Sequence, residues 1–413
     1  MPWLAIATLL LFPHVPWGHS HALTSLPSLS AAPGTADVSV QLRCTPLHRS
    51  AKKVKPKSLP AVSCPNQKGC VALPSASTIP ALYEYHDVIA TYEGWIVQTP
   101  SQQLKQSVYN VGICRAQYKA ADTSEHKVVG CVAEAATATH LYGSNLYHFL
   151  AEVVPRVYYM LPVLRAHPAM QLLVTTRVMW WWLDVFFPDD ALRNRSVVLA
   201  RKEAYHVRRL VSTNLPLCYT PAMAQLTQRL YAETVQRQYV PQPRPPSLVV
   251  LHYRSRAVRS LRSHKALLKE LQKLFPTELV VEWPGIYRGE TGLTGLAGGL
   301  ALLAQTKVFV GPHGAGFAFM MFLPPNATVI EIREPHLPED LYAKMALALG
   351  LRYHYLGAKS GAHGAVELDP AKVVLRVCMT MGGTKCRAYV DGIPRLVQEY
   401  ARIYKVQPEV PEA

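Results

Sequence analysis

The segment Val308-Phe-Val-Gly-Pro-His-Gly-Ala-Gly-Phe317 is the clearest structural signal in this 413-residue chain. An apolar strand pattern runs into a glycine-dense turn, and the apolar residues after the turn favour a short helix. Glycines let the backbone approach a phosphate closely, and the first N–H groups of the helix point towards it. The turn matches neither GxGxxG nor GxxxxGK[ST], because no Lys follows the last glycine. The pattern predicts a strand–turn–helix anion site, and a tight turn without a ligand fits the same glycines.

Strand and helix patterns alternate on both sides of a proline-rich segment at 241–246. After this segment, strands are predicted at 247–251, 278–282, 307–310 and 328–332, and helices near 264–275, 293–305 and 340–349. Before it, helices are predicted around 145–166, 178–187 and 222–238, and strands at 171–175 and 196–200. This alternation predicts two doubly wound α/β halves joined by a stiff linker, with a ligand in the cleft between them.

The N-terminal part of the chain predicts targeting rather than catalysis. Residues 1–20 contain an apolar run that Pro13 ends before it is long enough to span a bilayer, which is typical of a signal peptide or a short anchor. Residues 21–80 are rich in Ser, Ala, Pro and Lys and are predicted to form a low-complexity stalk. The two α/β halves are then assigned to 81–240 and 241–413.

The cysteines and sequons agree with a secretory route. The chain has 8 cysteines, an even number that permits complete pairing, and Cys64/Cys70 and Cys378/Cys386 are close enough to close short loops. No CxxC pair is present, so disulfides are favoured over a zinc site. Asn194 and Asn326 begin Asn-x-Ser/Thr sequons and are candidate glycosylation sites.

The charge of the chain predicts an anionic ligand. There are 43 Lys+Arg against 27 Asp+Glu, so the net charge is 43 − 27 = +16. With 49% hydrophobic residues, a mainly disordered or collagen-like chain is excluded. Nucleic acid, a membrane surface and a phosphorylated substrate all fit the charge. The signal-like N-terminus and the absence of a recognisable RNA or DNA module argue against nucleic acid.

Two further motifs carry candidate functional side chains. In Asn145-Leu-Tyr-His-Phe-Leu-Ala-Glu152, His148 and Glu152 are four residues apart and share a helix face, so the carboxylate can orient the imidazole or take a proton itself. Asn145 lies one turn earlier, and a solvent-facing His/Glu pair has the same spacing. Four arginines follow the first strand of the second half: Arg254, Arg256, Arg259 and Arg262. Guanidinium groups at this end of a strand are well placed to bind phosphate. The alternative is that these arginines are a run of surface charge.

Together these motifs resemble glycosyltransferase family 61, over roughly residues 145–355. The resemblance is carried by Asn145-x-x-His148-x-x-x-Glu152, by Arg254 and Arg259, and by Gly311-Pro-His-Gly-Ala-Gly316 with Phe322-Leu-Pro-Pro and Val329-Ile-Glu331. The chain departs from the family pattern at Ser263, Ala266 and Gly299.

This resemblance implies a GT-B-type fold of two Rossmann-like domains and a transfer that inverts the anomeric carbon. Glu152 or His148 would be the base, and Glu331 would hold the ribose hydroxyls of the donor. The diphosphate would be held by Arg254, Arg259, Gly311, His313, Gly314, Ala315 and Gly316. No Asp-x-Asp triplet is present, so no metal is expected, and no cofactor beyond the nucleotide-sugar donor.

The predicted activity is transfer of xylose, arabinose or GlcNAc from a UDP-sugar to a glycan or glycoprotein acceptor. The predicted compartment is the Golgi or endoplasmic reticulum lumen, with membrane contact only through the N-terminal segment if it is uncleaved. A non-catalytic member of the same fold that binds a glycan or nucleotide is the alternative.

Overall fold

The computed structural model describes residues 82–94, 96–98, 126–213, 221–239, 244–254, 259–335, 341–361 and 364–404. The predicted signal segment, the stalk and the Cys64/Cys70 pair lie outside these ranges. Within them, no helix combines the length and the apolar character needed to cross a bilayer. Both sheets described below belong to one compact unit of the chain.

The first sheet has six strands in the order β2-β1-β6-β3-β4-β5. Their bounds are β1 Leu82–Thr91, β2 Ile96–Gln98, β3 Lys127–Thr137, β4 Gln171–Val174, β5 Ser196–Val198 and β6 Glu203–Thr213. Strands β6, β3, β4 and β5 run parallel, whereas β1 is antiparallel to both of its neighbours. The predicted strands at 171–175 and 196–200 are confirmed, and β3 and β6 were not predicted.

The helices of this part are repeatedly interrupted by wider π-helical turns. They are α1 Leu146–His148, α2 Val154–Ala166, α3 Trp181–Phe186, α4 Pro221–Leu230 and α5 Arg237–Tyr239, with π-turns at Phe149–Val153 and Tyr231–Gln236. Asn145 caps α1, because its side chain accepts the N–H of Tyr147 at 2.9 Å. The predicted helix at 145–166 is therefore α1, a π-turn and α2 in succession. Such turns occur often at functional sites.

The second sheet is wholly parallel, in the order β11-β10-β9-β7-β8. Its strands are β7 Leu248–His252, β8 Val280–Trp283, β9 Thr306–Pro312, β10 Thr328–Arg333 and β11 Arg352–Gly357. The four predicted strands of this half are confirmed. In chain order this is the 2-1-3-4-5 arrangement, whose topological switch point lies between β7 and β9.

Helices cover this second sheet, and a small hairpin follows it. The helices are α6 His264–Leu274, α7 Leu296–Ala304, α8 Leu341–Ala348, α9 Pro370–Met381, α10 Thr384–Asp391 and α11 Pro394–Tyr404, and the hairpin strands are β12 Lys359–Ser360 and β13 Val366–Glu367. The predicted disulfide Cys378–Cys386 is present and joins α9 to α10. Cys131 is also disulfide-bonded.

The largest apolar cluster contains side chains from both predicted halves. Tyr147 packs edge-on against Tyr342 with ring centroids 5.3 Å apart, and Trp182 stacks on Phe322 at 6.0 Å. These contacts join α1 to α8 and α3 to the short helix that follows β9. The predicted class, an α/β fold with parallel, Rossmann-like sheets, is confirmed, while the GT-B assignment and the boundaries 81–240 and 241–413 stay predictions.

Candidate active site

A pocket of about 210 Å³ opens at the carboxyl edge of the second sheet, at the switch point between β7 and β9. His252 at the end of β7 and Leu146 of α1 line this pocket. The other lining residues follow β7, β8 and β9: Tyr253, Arg254, Pro284, Gly285, Ile286, Tyr287, Ala315, Gly316 and Phe319. The predicted glycine turn and the first predicted arginine therefore meet at one site. Leu146 brings the first half of the chain to its rim.

Arg254 lies across the glycine turn. Its Nη1 donates to the backbone carbonyl of His313 at 2.9 Å, so the guanidinium is held at the start of the 3₁₀-helix Ala315–Phe322. The first N–H groups of a helix have no partner inside it and carry partial positive charge. The guanidinium and these N–H groups together make this end of the pocket suited to an anion.

The glycines of the turn are explained by the side chains that pack on them. A Cβ at Gly314 would lie 1.9 Å from Nη1 of Arg254, and a Cβ at Gly316 would lie 2.1 Å from Nε2 of His252. At Gly311 a Cβ would lie 3.0 Å from the His252 carbonyl oxygen. Glycine is thus required so that an arginine and a histidine can reach the pocket floor, which is a separate reason from the backbone–phosphate approach predicted for the turn.

His252 is a site residue that sequence reasoning missed. It ends β7, is 5% exposed, and its Nδ1 lies 3.2 Å from the carbonyl oxygen of Trp283. Since a carbonyl only accepts, Nδ1 carries the proton and Nε2 faces the turn beside Gly316. Burial lowers the pKa of His252 to about 4, with Arg254 acting in the same direction. A histidine directly before the arginines, at the end of an apolar strand, was the signal available in the sequence.

His313 and Glu331 form a buried pair behind the turn. Nδ1 of His313 donates to one oxygen of Glu331, and the hydroxyl of Tyr353 donates to the other. The side chains of His313 and Glu331 are 7% and 1% exposed. His313 also packs edge-on against Tyr342 at 5.2 Å. Because both oxygens of Glu331 have protein donors, the geometry favours a positioning role over the predicted contact with ribose.

His148 and Glu152 form the second pair, and the structure excludes the solvent-facing alternative. Nδ1 of His148 lies 2.7 Å from Oε2 of Glu152, whose side chain is 1% exposed, whereas that of His148 is 26% exposed. Burial acts to raise the pKa of Glu152, but hydrogen bonding with His140 and His148 outweighs it, and the pKa is lowered. Glu152 is therefore an ionised carboxylate, with Nδ1–H of His148 donating to it.

His140 completes this cluster and was also missed. Its Nε2 lies 2.8 Å from Oε2 of Glu152, and its Nδ1 accepts the N–H of Tyr142 at 2.9 Å. A ring nitrogen that accepts carries no proton, so the proton of the neutral ring is on Nε2. Burial lowers the pKa of His140, against the opposing effect of Glu152, and keeps the ring neutral.

The ligand atoms of His140, His148 and Glu152 lie within 4.8 Å of one another, which is the spacing of a possible metal site. A histidine that binds a metal through one nitrogen normally donates a hydrogen bond from the other. In His140 the other nitrogen accepts, which leaves the proton on the nitrogen that would have to bind the metal. The cluster fits a hydrogen-bonded carboxylate better than a metal centre.

Arg156 balances the charge of this cluster. It lies four residues after Glu152 on the same helical segment and is 5% exposed. Burial lowers the pKa of Arg156 to about 10, opposed by the charge of Glu152, so the guanidinium stays positive at neutral pH. One buried carboxylate and one buried guanidinium offset each other, which makes the burial of both tolerable.

The other predicted residues lie away from the pocket lining. Arg259 is exposed, with φ of +58° and its N–H donating to the Gly364 carbonyl, and the exposed Arg262 pairs with Glu367. Arg256 lies outside the described residues. Asn194 and Asn326 are both exposed, as glycosylation sites need to be.

An aromatic contact connects the two histidine–glutamate pairs. Tyr342 packs on Tyr147, next to His148, and also on His313. Since Leu146 lines the pocket at the switch point, the helix that carries His148 borders that pocket directly. The structure thus brings together a carboxylate-held imidazole and an anion-binding pocket.

Taken together, the fold and the site define a Rossmann-like α/β protein with an anion pocket at its switch point and a histidine–carboxylate pair beside it. The glycosyltransferase 61 family model matches residues 146–330, and a search of curated proteins finds no match. The match supports glycosyltransferase family 61 and confirms the resemblance predicted from the motifs. The matched range contains His148, Glu152, Arg254 and the whole glycine turn.

Proposed function

We propose that this protein is an inverting glycosyltransferase that moves a sugar from a UDP-sugar to a hydroxyl of a glycan or glycoprotein, without a metal or another cofactor. The observation that carries the proposal is the His148–Glu152 pair on the helix that borders the anion pocket. The family-61 domain at 146–330 supports glycosyl transfer in general.

Of the two candidate bases, the geometry favours His148. Glu152 is buried and its Oε2 lies within hydrogen-bond distance of two histidines, so it has no open path to an acceptor. His148 is partly exposed, and because its Nδ1–H donates to Glu152, its basic nitrogen is Nε2. Glu152 therefore orients the ring and stabilises the imidazolium that forms when His148 takes a proton.

The proposed reaction is a single displacement. The acceptor oxygen forms a bond to the anomeric carbon and gives its proton to Nε2 of His148. The bond between that carbon and the diphosphate oxygen breaks, and its electron pair leaves with UDP. The added charge on UDP is stabilised by Arg254 and the N–H groups that begin at Ala315, where a divalent cation would otherwise serve.

The walls of the pocket suit the remainder of a nucleotide. Pro284, Ile286 and Phe319 offer apolar surface, and Tyr253 and Tyr287 offer rings beside the charged end. An apolar slot with a few polar groups at one end is the usual form of a small-molecule site. The proposed compartment is the Golgi or endoplasmic reticulum lumen, supported by two disulfide-bonded regions and two exposed sequons.

The deciding experiment measures binding and turnover with UDP-xylose, UDP-GlcNAc and UDP-arabinofuranose on purified protein. We expect one donor to bind and to release UDP, in the presence of EDTA as well as in its absence. Binding of UDP without release from any donor would instead favour the non-catalytic alternative. A requirement for a divalent cation would contradict the metal-free mechanism.

A matched pair of glycine variants tests the location of the donor site. Gly316→Ala places a methyl group against Nε2 of His252, so we expect donor affinity to fall about tenfold or more. Gly357→Ala is the control, because the nearest atom to its Cβ would be Cγ of Pro335 at an ordinary 3.4 Å. Equal donor affinities in the two variants would place the donor elsewhere.

A further inference from the structure

The proposed mechanism leaves one buried titratable group of the pocket unused. His252 lines the pocket with its Nε2 beside Gly316, and burial lowers the pKa of this ring to about 4. Its ring is held by stacking on Phe309, with centroids 5.8 Å apart, and by the hydrogen bond from Nδ1 to Trp283. Because of these contacts, Nε2 is the ring nitrogen that faces the pocket.

Nε2 of an unprotonated ring can only accept a hydrogen bond. A diphosphate oxygen is also an acceptor, so an unprotonated Nε2 and a phosphate oxygen cannot form a hydrogen bond with each other. One proton on Nε2 removes the mismatch, because both ring nitrogens then donate, one to the Trp283 carbonyl and one to the diphosphate. Negative charge at hydrogen-bond distance favours the charged form of a histidine.

We infer that His252 is a donor-binding residue that takes up a proton when a nucleoside diphosphate enters the pocket and donates it as a hydrogen bond to a phosphate oxygen. The inference rests on the proposed function, since it requires the donor to occupy this pocket. The imidazolium would be a second positive group, besides Arg254, that stabilises the negative charge of UDP as it departs.

The charged and titratable groups around the ring agree with this coupling. Trp283 from β8 and Phe309 and Gly311 from β9 are uncharged, and Arg254 and His264 act to lower the pKa of His252. His264 itself lies 2.7 Å from Glu282. Tyr253 and Tyr287 also line the pocket. No carboxylate in this set of described residues contacts His252, so an entering anion is the group that brings negative charge to the ring.

The test is calorimetric titration of UDP into the full-length protein in buffers of different ionisation enthalpy, at about pH 6.5. The number of protons taken up is compared between wild type and His252→Gln, whose amide reproduces a neutral donor at Nε2 and cannot titrate. The ionisation of UDP itself cancels in this difference. We expect wild type to take up at least about half a proton more than His252→Gln.

Two further variants keep the test decisive. His252→Asn retains a donor towards Trp283 and removes Nε2, and we expect it to bind UDP about tenfold more weakly than wild type and to lack the proton uptake. His354→Gln is the control, because burial also lowers the pKa of His354 to about 4, but this histidine lies on the edge strand β11 and contacts Arg376 of α9. It should take up protons as wild type does.

The possible outcomes separate the inference from the proposed function. Equal proton uptake in wild type, His252→Gln and His252→Asn, with UDP bound by all three, would overturn the role of His252 and leave the transferase proposal intact. No binding of UDP or of any UDP-sugar by wild type would overturn both.

Discussion

Two histidine–glutamate pairs occupy the two sides of the site, and they differ in the exposure of the histidine ring. In each pair Nδ1 of the histidine donates to a glutamate whose side chain is 1% exposed. The side chain of His148 is 26% exposed, while that of His313 is 7% exposed. The same chemical pair thus leaves its imidazole partly accessible in the first case and encloses it behind a backbone turn in the second.

The neighbours of the two glutamates reinforce the difference. Glu152 is surrounded by His140, His148 and Arg156, an arrangement that keeps a negative charge beside the ring that would accept a proton. Glu331 shares its oxygens between His313 and Tyr353, and His313 belongs to the glycine turn whose carbonyl accepts a hydrogen bond from Arg254. A carboxylate next to an imidazole is therefore not evidence of a base until the exposure of the ring is known.

The largest expected effect comes from removing the exposed imidazole. His148→Ala should lower kcat for sugar transfer about 1000-fold and leave the thermal midpoint close to that of wild type, because the side chain is partly exposed. Steady-state UDP release with acceptor and a thermal melt measure the two quantities. His313→Ala should lower the thermal midpoint more than His148→Ala does, and it should lower kcat less. A larger loss of kcat in His313→Ala would invert the comparison.

Replacing the first glutamate should have a large effect on stability. Glu152→Gln leaves the buried Arg156 without its counter-charge, so we expect the free energy of unfolding to fall by about 3 kcal/mol. Urea denaturation measures this loss. Glu331→Gln should cost about 2 kcal/mol, because it replaces two hydrogen bonds to a charged acceptor by neutral ones. A smaller cost for Glu152→Gln than for Glu331→Gln would mean that Arg156 is not balanced by Glu152.

The first cluster should also make the protein acid-sensitive. Burial lowers the pKa of His140 below its usual 6.5, so as the pH falls below that value the unfolded chain binds a proton that the folded chain does not. The free energy of unfolding should then decrease by up to about 1.4 kcal/mol for each pH unit. The lowered pKa of Glu152 adds a further loss of stability as the pH falls through its folded-state pKa, below 4.5.

Urea denaturation between about pH 7.5 and about pH 5 measures this dependence. His140→Asn keeps an acceptor for the N–H of Tyr142 and cannot titrate in this range, so its stability should decline less steeply than that of wild type. Parallel curves for the two proteins would show that His140 is not the group responsible.

The smallest expected effect lies in the second pair. Burial, followed by the charge of Glu331, raises the pKa of Tyr353, so its hydroxyl stays protonated and donates to that carboxylate. Tyr353→Phe should lower the free energy of unfolding by about 1–2 kcal/mol with little change in kcat. Chemical denaturation and a turnover assay test this together. A loss of kcat comparable to that of His148→Ala would place the second pair in the reaction.

Much of the second half could be predicted because its strands are continuous apolar runs between helices. The expected strands at 307–310 and 328–332 lie inside β9 and β10, and the glycine turn joins β9 to a short helix as expected. By contrast, β6 mixes charged residues with apolar ones, and its burial pattern arises from pairing with β1 on one side and β3 on the other. Such a strand has no local signal.

The candidate site also has parts that the sequence could predict and parts that it could not. The spacing of His148 and Glu152 places them on one helical face, and the structure confirms that contact through a π-turn. His140 and His252 could not be assigned, because their tautomers depend on the Tyr142 N–H and on the Trp283 carbonyl. Arg259 is the reverse case: the sequence predicts it as a donor-binding residue, but in the structure it is an exposed loop residue away from the pocket lining.

The sequence by itself determined the alternating α/β class, the glycine turn, the family and the pairing of His148 with Glu152, because each depends on residues close together in the chain. Only the tertiary structure decided which histidine is partly exposed, that both glutamates are buried and which side chains share the pocket. Exposure and protonation depend on what packs against a group from distant segments, and neighbouring parallel strands supply those contacts. The first pair could be predicted from its spacing in the sequence, whereas the second pair and the exposure of both histidines followed from the tertiary structure.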